Sequence, residues 1–169
     1  MKKIAILLLA AALLFGCAAK DDPNAVFVDP NAIQGGGYGE LYFEADGVRF
    51  GIFDEAKPVF EALPAYRSTF TEESCAFDSA DVSYFFSGYR IMTNEIDGVE
   101  RITAIVCTDD TVRTPQGLYI GMPEADAAAA FPLLQQNDWN LVDGTALLSV
   151  TVQDGSIVSI VYSPSNAED

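Results

Sequence analysis

The sequence predicts an α+β domain: an antiparallel β-sheet with two short helices on one face, expected to be built as two tandem helix-plus-meander units. Three observations carry that reading. Asp-Gly pairs at Asp46-Gly47, Asp97-Gly98, Asp143-Gly144 and Asp154-Gly155 each stand between stretches rich in Val, Ile, Phe, Tyr or Thr, and Asp-Gly is the favoured centre of a type I′ hairpin because both residues tolerate positive φ. Two other segments carry helical rather than strand spacing. Hydrophobic residues make up 50% of the 169-residue chain, including 11 Phe, 7 Tyr and 1 Trp, enough for a packed core and too much for a disordered acidic tail.

The elements follow in chain order. Residues 1–16 have a positive start at Lys2 and Lys3 and an unbroken apolar run from Ile4 to Phe15, short for a bilayer span and the size of a secretory leader. The run ends in Leu14-Phe15-Gly16-Cys17, which resembles the lipobox of bacterial lipoproteins. The resemblance implies a mature chain beginning at Cys17, acylated on its sulfur and held at the outer face of a cell membrane or outer membrane. Residues 17–38 hold Asp, Pro, Asn and Gly clusters and read as a flexible tether.

The domain is expected over 39–164, with halves at 41–110 and 111–164 and a tail at 165–169. Expected hairpins pair Leu41–Glu44 with Val48–Phe53, Tyr89–Ile96 with Arg101–Cys107, and Thr145–Val152 with Ser156–Tyr162; a further strand covers Val82–Phe86. Ala56, Val59, Phe60 and Leu63 recur at the spacing of one helical face, with Asp54 as the expected cap and Pro64 as the stop. The second helix runs from Pro123 to Phe131 and is expected to stop at Pro132. The approach Val48–Phe53 is echoed by Leu118–Met122, glycine at Gly51 against glycine at Gly121, and Arg101–Ile105 is echoed by Ser156–Ile160, which is the pattern expected of a duplication.

Thr114 to Asp126, with its run Gly117-Leu118-Tyr119-Ile120-Gly121-Met122 ahead of a helix, resembles small bacterial α+β lipoproteins of the BamE (SmpA/OmlA) kind and the tandem-repeat β-lactamase inhibitor proteins. The resemblance implies an architecture and noncatalytic binding of other proteins.

Composition narrows the chemistry. The chain has no His, which excludes Ser-His-Asp and Cys-His catalysis and imidazole-bound zinc. With 9 Lys and Arg against 25 Asp and Glu, a net charge of −16, nucleic acid is excluded as a partner. Beyond Cys17, Cys75 and Cys107 form an even pair in an exported chain, so a disulfide is the first reading, with two buried thiols or a redox pair as alternatives. Asp78, Asp81, Asp109 and Asp110 flank these cysteines and would converge if they were bridged, a conceivable calcium site. Tyr84, Phe85, Phe86 and Tyr89 form the densest aromatic stretch; they pack in the core or, if one sheet face is open, anchor a partner. No cofactor and no enzyme activity is expected. The functional expectation is a membrane-anchored, noncatalytic domain that binds an unidentified protein or envelope component, the alternative being a small-ligand or calcium-binding module.

Overall fold

The computed structural model describes residues 41–165. The leader, Cys17, the tether and the tail beyond Ser165 lie outside the described residues. Strands β1 (Phe43–Ala45) and β2 (Val48–Phe50) form a hairpin, followed by helix α1 (Ala56–Ala62). Then come β3 (Ser68–Glu73), β4 (Ala80–Phe85), β5 (Tyr89–Ile96) and β6 (Val99–Cys107). Helices α2 (Glu124–Ala130) and α3 (Pro132–Gln136) precede β7 (Asn140–Asp143), β8 (Ala146–Gln153) and β9 (Ser156–Pro164). The fold is therefore α+β. The larger sheet is 7-stranded, in the order β3-β4-β5-β6-β9-β8-β7, and every pairing in it is antiparallel.

Local chemistry accounts for most of the elements. Three Asp-Gly pairs turn with both residues at positive φ: Asp46 and Gly47 at 52° and 78°, Asp97 and Gly98 at 53° and 75°, Asp154 and Gly155 at 51° and 75°. The fourth differs, because Asp143 stays in β7 opposite Ala146 and only Gly144 takes positive φ, so the turn sits one residue later than expected. Asp54 does not cap α1. Its Oδ2 accepts the Gly51 N–H at 2.7 Å, and Glu55 occupies the cap position without a side-chain bond.

Two elements depart from the expectation. Pro132 does not end the helical region; it opens α3 as an N-terminal proline, where its missing N–H costs nothing, with Phe131 closing α2. Strand β3 carries no hydrophobic alternation, since all six residues of Ser68–Glu73 are exposed at the edge of the sheet, so period-two reading cannot find it.

The chain enters α1 and α2 through matching bonds. Phe53 N–H donates to Ile102 O at 2.7 Å and Ile102 N–H to Asp54 O at 2.9 Å; Gly121 N–H donates to Ile157 O at 2.7 Å and Ile157 N–H to Met122 O at 2.9 Å. Glu55 then bridges Arg101, as Pro123 bridges Ser156. These bonds set Phe53, at φ 68°, against Gly121, at φ 88°, so the structural counterpart of Gly121 is Phe53 rather than Gly51. Strands β6 and β9, each reached from such an entry, pair at the centre of the sheet.

Register places two neighbouring rows across the sheet on opposite faces. One row runs Thr69, Tyr84, Ile91, Ile105, Tyr162, Leu148, Leu141. Its four central members are fully buried, each worth roughly 1.5–3 kcal/mol by removal from water. The β1–β2 hairpin packs on this side, Phe43 lying 5.3 Å from the Tyr89 ring and 5.8 Å from the Tyr162 ring between centroids. Helix α1 packs there too, with Phe60 at 4.4 Å from Tyr84, and Ala127 of α2 and Leu134 of α3 belong to the same buried cluster.

Candidate binding face

The adjacent row runs Ser68, Phe85, Arg90, Val106, Val161, Ser149, Asn140 and points away from the helices. Its central residues, Phe85 to Ser149, are only half-buried, and the ring contacts of the β1–β2 hairpin and of α1 lie on the other side. Next to it, Phe70 on β3 shares a row with Ser83 and Met92, and Val142 on β7 pairs with Leu147. Phe70 and Val142, 56% and 58% exposed, together with Val158 at 45%, are among the large hydrophobics most open to water. In a chain of net charge −16, the row through the middle of this face carries one charge, Arg90. A solvated outer sheet face normally alternates charged and polar side chains; depletion of charge with retention of apolar and aromatic side chains is the composition of an interface core.

The expected aromatic anchors divide between the two sides. Tyr84, Phe86 and Tyr89 lie on the helix side. Phe86 stacks on Tyr89 at 4.8 Å with planes 3° apart, and both are buried. Tyr84 contacts Phe60 and Tyr66, and its hydroxyl donates to Glu100 Oε1 at 2.7 Å, an acceptor it shares with Thr93 Oγ1. Burial first and the Glu100 bond second push the Tyr84 phenol up to about 12. Burial, with Asp46 nearby, pushes Tyr89 up to about 12 as well, and its hydroxyl finds no hydrogen-bond partner. Only Phe85 faces outward, with the Arg90 guanidinium carbon 5.8 Å from its ring centroid. Arg90 itself, missed because an arginine in a strand gives no sequence signal for its face, has its Nε sealed from water without an acceptor.

The Cys75–Cys107 bridge does not form. Cys107 is a free, buried thiol that pairs with Tyr89 at one end of β5; burial, then Asp109, pushes it up to about 11. Cys75 lies in the loop between Glu73 and Ala80, which pair with each other, and Ser79 of that loop bonds Asn94 and Glu95 at the other end of β5. Six residues of strand, about 20 Å, separate the two ends, and two residues of chain from Glu73 to Cys75 recover only about 7 Å. The remaining gap exceeds the roughly 7 Å limit for Cα atoms of a disulfide.

The same separation parts the carboxylates. Asp81 is at the Asn94 end, where Asn94 Nδ2 donates to its Oδ1 at 2.9 Å, and Asp78 is in the neighbouring loop. Asp109 and Asp110 follow Cys107, and Asp109 accepts the backbone N–H and hydroxyl of Thr111, which hold its carboxyl below its usual range. No group of three or more Cys, Asp or Glu converges on a metal position among the described residues.

A groove of ≈ 250 Å³ is lined by Val48, Arg49, Asp54, Glu55, Pro58 and Val59. Two of its three charged groups are engaged within the chain: Arg49 pairs with Glu44 at 2.8 Å and lies over Tyr42, and Asp54 takes the Gly51 N–H. No described helix is long and apolar enough to cross a membrane. No protein family, curated protein or solved structure matches the chain.

Proposed function

We propose that this chain is a membrane-anchored extracytoplasmic lipoprotein, acylated at Cys17, whose domain binds another protein or envelope component without catalysis. The observation that carries the binding reading is the open sheet face, uncharged through its middle except at Arg90. The leader ending in Leu14-Phe15-Gly16-Cys17 supports the anchor. Two tandem units, each entering a helix and then a meander that ends in a central strand, make up the domain in this reading. The matched bonds of Phe53 and Asp54 to Ile102, and of Gly121 and Met122 to Ile157, support the repeat. Such a design joins two meanders edge to edge at β6 and β9 and leaves one broad face for a partner.

The test is photo-crosslinking in the cells that make the protein. A photoreactive residue at Val161, on the open face, is expected to give an adduct, and one at Lys57, exposed on α1 on the other side, none. Equal yields from both positions, or none from Val161, refute the reading. In the same cells, radioactive palmitate is expected to label the wild type and not Cys17→Ala; equal labelling removes the anchor.

A further inference from the structure

We infer that the open face docks a basic protein which presents a carboxylate side chain to Arg90. This deepens the binding reading above and rests on it.

Size comes first. Seven strands spaced about 4.8 Å apart and about 20 Å long give a face on the order of 600 Å², about three-quarters of one side of a standard protein interface. A partner that also reaches the edges at Phe70 and Val142 completes that area.

The centre of the face selects the contact. Arg90 pairs with Phe85 on one side and Val106 on the other, and its guanidinium rests over the Phe85 ring, a placement that holds the planar group against rotation. Its Nε is buried with no acceptor, and it forms no salt bridge among the described residues. The cation is therefore partly stripped of water and left without a counter-charge. A carboxylate reaching its outer edge gains more there than at a freely hydrated arginine, and arginine beside an aromatic ring is the usual composition of a binding hot spot.

Charge then selects the partner's surroundings. A net charge of −16 repels an acidic protein and an anionic bilayer alike, so the carboxylate must arrive on a surface that is otherwise positive. A second copy of this chain meets the same repulsion.

The experiment uses the full lipoprotein in its own cells, with the photoreactive residue at Val106 and Arg90 intact or replaced. The adduct is expected to contain a protein with more Lys and Arg than Asp and Glu. Its yield is expected to fall tenfold or more in Arg90→Glu, whose melting temperature stays at the wild-type value, and to return when the partner's carboxylate nearest the crosslink is replaced by Arg. Full yield from Arg90→Glu overturns the Arg90 contact while leaving the docking face standing. An acidic protein or a second copy of the chain in the adduct overturns the partner's chemistry. No adduct from either Val106 or Val161 ends the docking reading itself.

Discussion

Gly88 offers the sharpest test of the backbone that positions the open face, because it lies in the short turn joining Phe85 to Arg90. Its φ is +82°, and a Cβ added there would come within 2.5 Å of Thr111 Oγ1, 2.5 Å of Val112 Cγ2 and 2.9 Å of Asp109 Oδ1. Thr111 cannot turn away cheaply, since its hydroxyl and N–H are both held by Asp109. The turn itself is tied to the same loop by Thr108 N–H donating to Gly88 O at 2.9 Å. Gly88→Ala therefore carries two penalties. Left-handed backbone costs an L-residue about 1–2 kcal/mol, and forcing a methyl into a packed site costs about 1–3 kcal/mol more. Gly98→Ala is the control: its φ is +75°, but nothing lies within 4 Å of the added Cβ, so only the first penalty applies. Urea unfolding of the two variants is expected to differ by the steric part, and with a slope of about 1–3 kcal/mol per molar for a domain of this size the midpoints separate by on the order of 1 M. Equal destabilisation by the two substitutions would refute the close approach of the 109–112 loop to the turn, and with it the account of how Phe85 and Arg90 are aligned.

Other outcomes follow from the two faces and the buried groups. Ile105→Ala, in the buried row, is expected to cost about 2–5 kcal/mol in chemical denaturation, whereas Val106→Ala, one residue on and facing outward, should cost less than about 1 kcal/mol; similar losses would mean that both faces are covered. Tyr89→Phe removes a buried hydroxyl that has no partner and is expected to hold or raise the melting temperature; a clear drop would reveal a bond to that hydroxyl. Stability should fall as pH rises above about 9, because Cys107 is held protonated to about 11 and Tyr84 and Tyr89 to about 12 in the fold, while the unfolded chain releases those protons near the ordinary thiol and phenol values. Their contribution is complete below the unfolded values and is lost by the folded ones; a urea midpoint that stays flat from pH 9 to 11.5 contradicts it. Millimolar calcium is expected to leave the melting temperature unchanged, since Asp78 and Asp81 are parted from Asp109 and Asp110 by the length of β5, and a rise of several degrees would show a site built some other way.

What could be read from the chain alone was whatever a few neighbouring residues decide. The Asp-Gly turns at 46, 97 and 154 followed from two residues that accept positive φ, and once a turn is placed its flanking strands pair by proximity. Helix α1 followed from the spacing of Ala56, Val59 and Leu63, of which Ala56 and Val59 are its buried residues. Strand β3 was illegible because an exposed edge strand needs no apolar alternation, and α3 because Pro132 serves equally as a stop and as a start.

The candidate site lay beyond the sequence for a related reason. Period-two alternation shows that Tyr84 and Phe85 point to opposite faces, yet it does not say which face will be covered. That was decided by Phe43 and Phe60, brought over from distant segments onto the Tyr84 side, and by the pairing of β6 with β9 across more than fifty residues of chain. The register of the β3–β6 meander put the Cys75 loop and Cys107 toward opposite ends of β5, where no count of cysteines could have placed them. Short-range sterics and periodicity are written residue by residue, whereas the side of a sheet left open depends on the total apolar surface that the whole chain can bury at once.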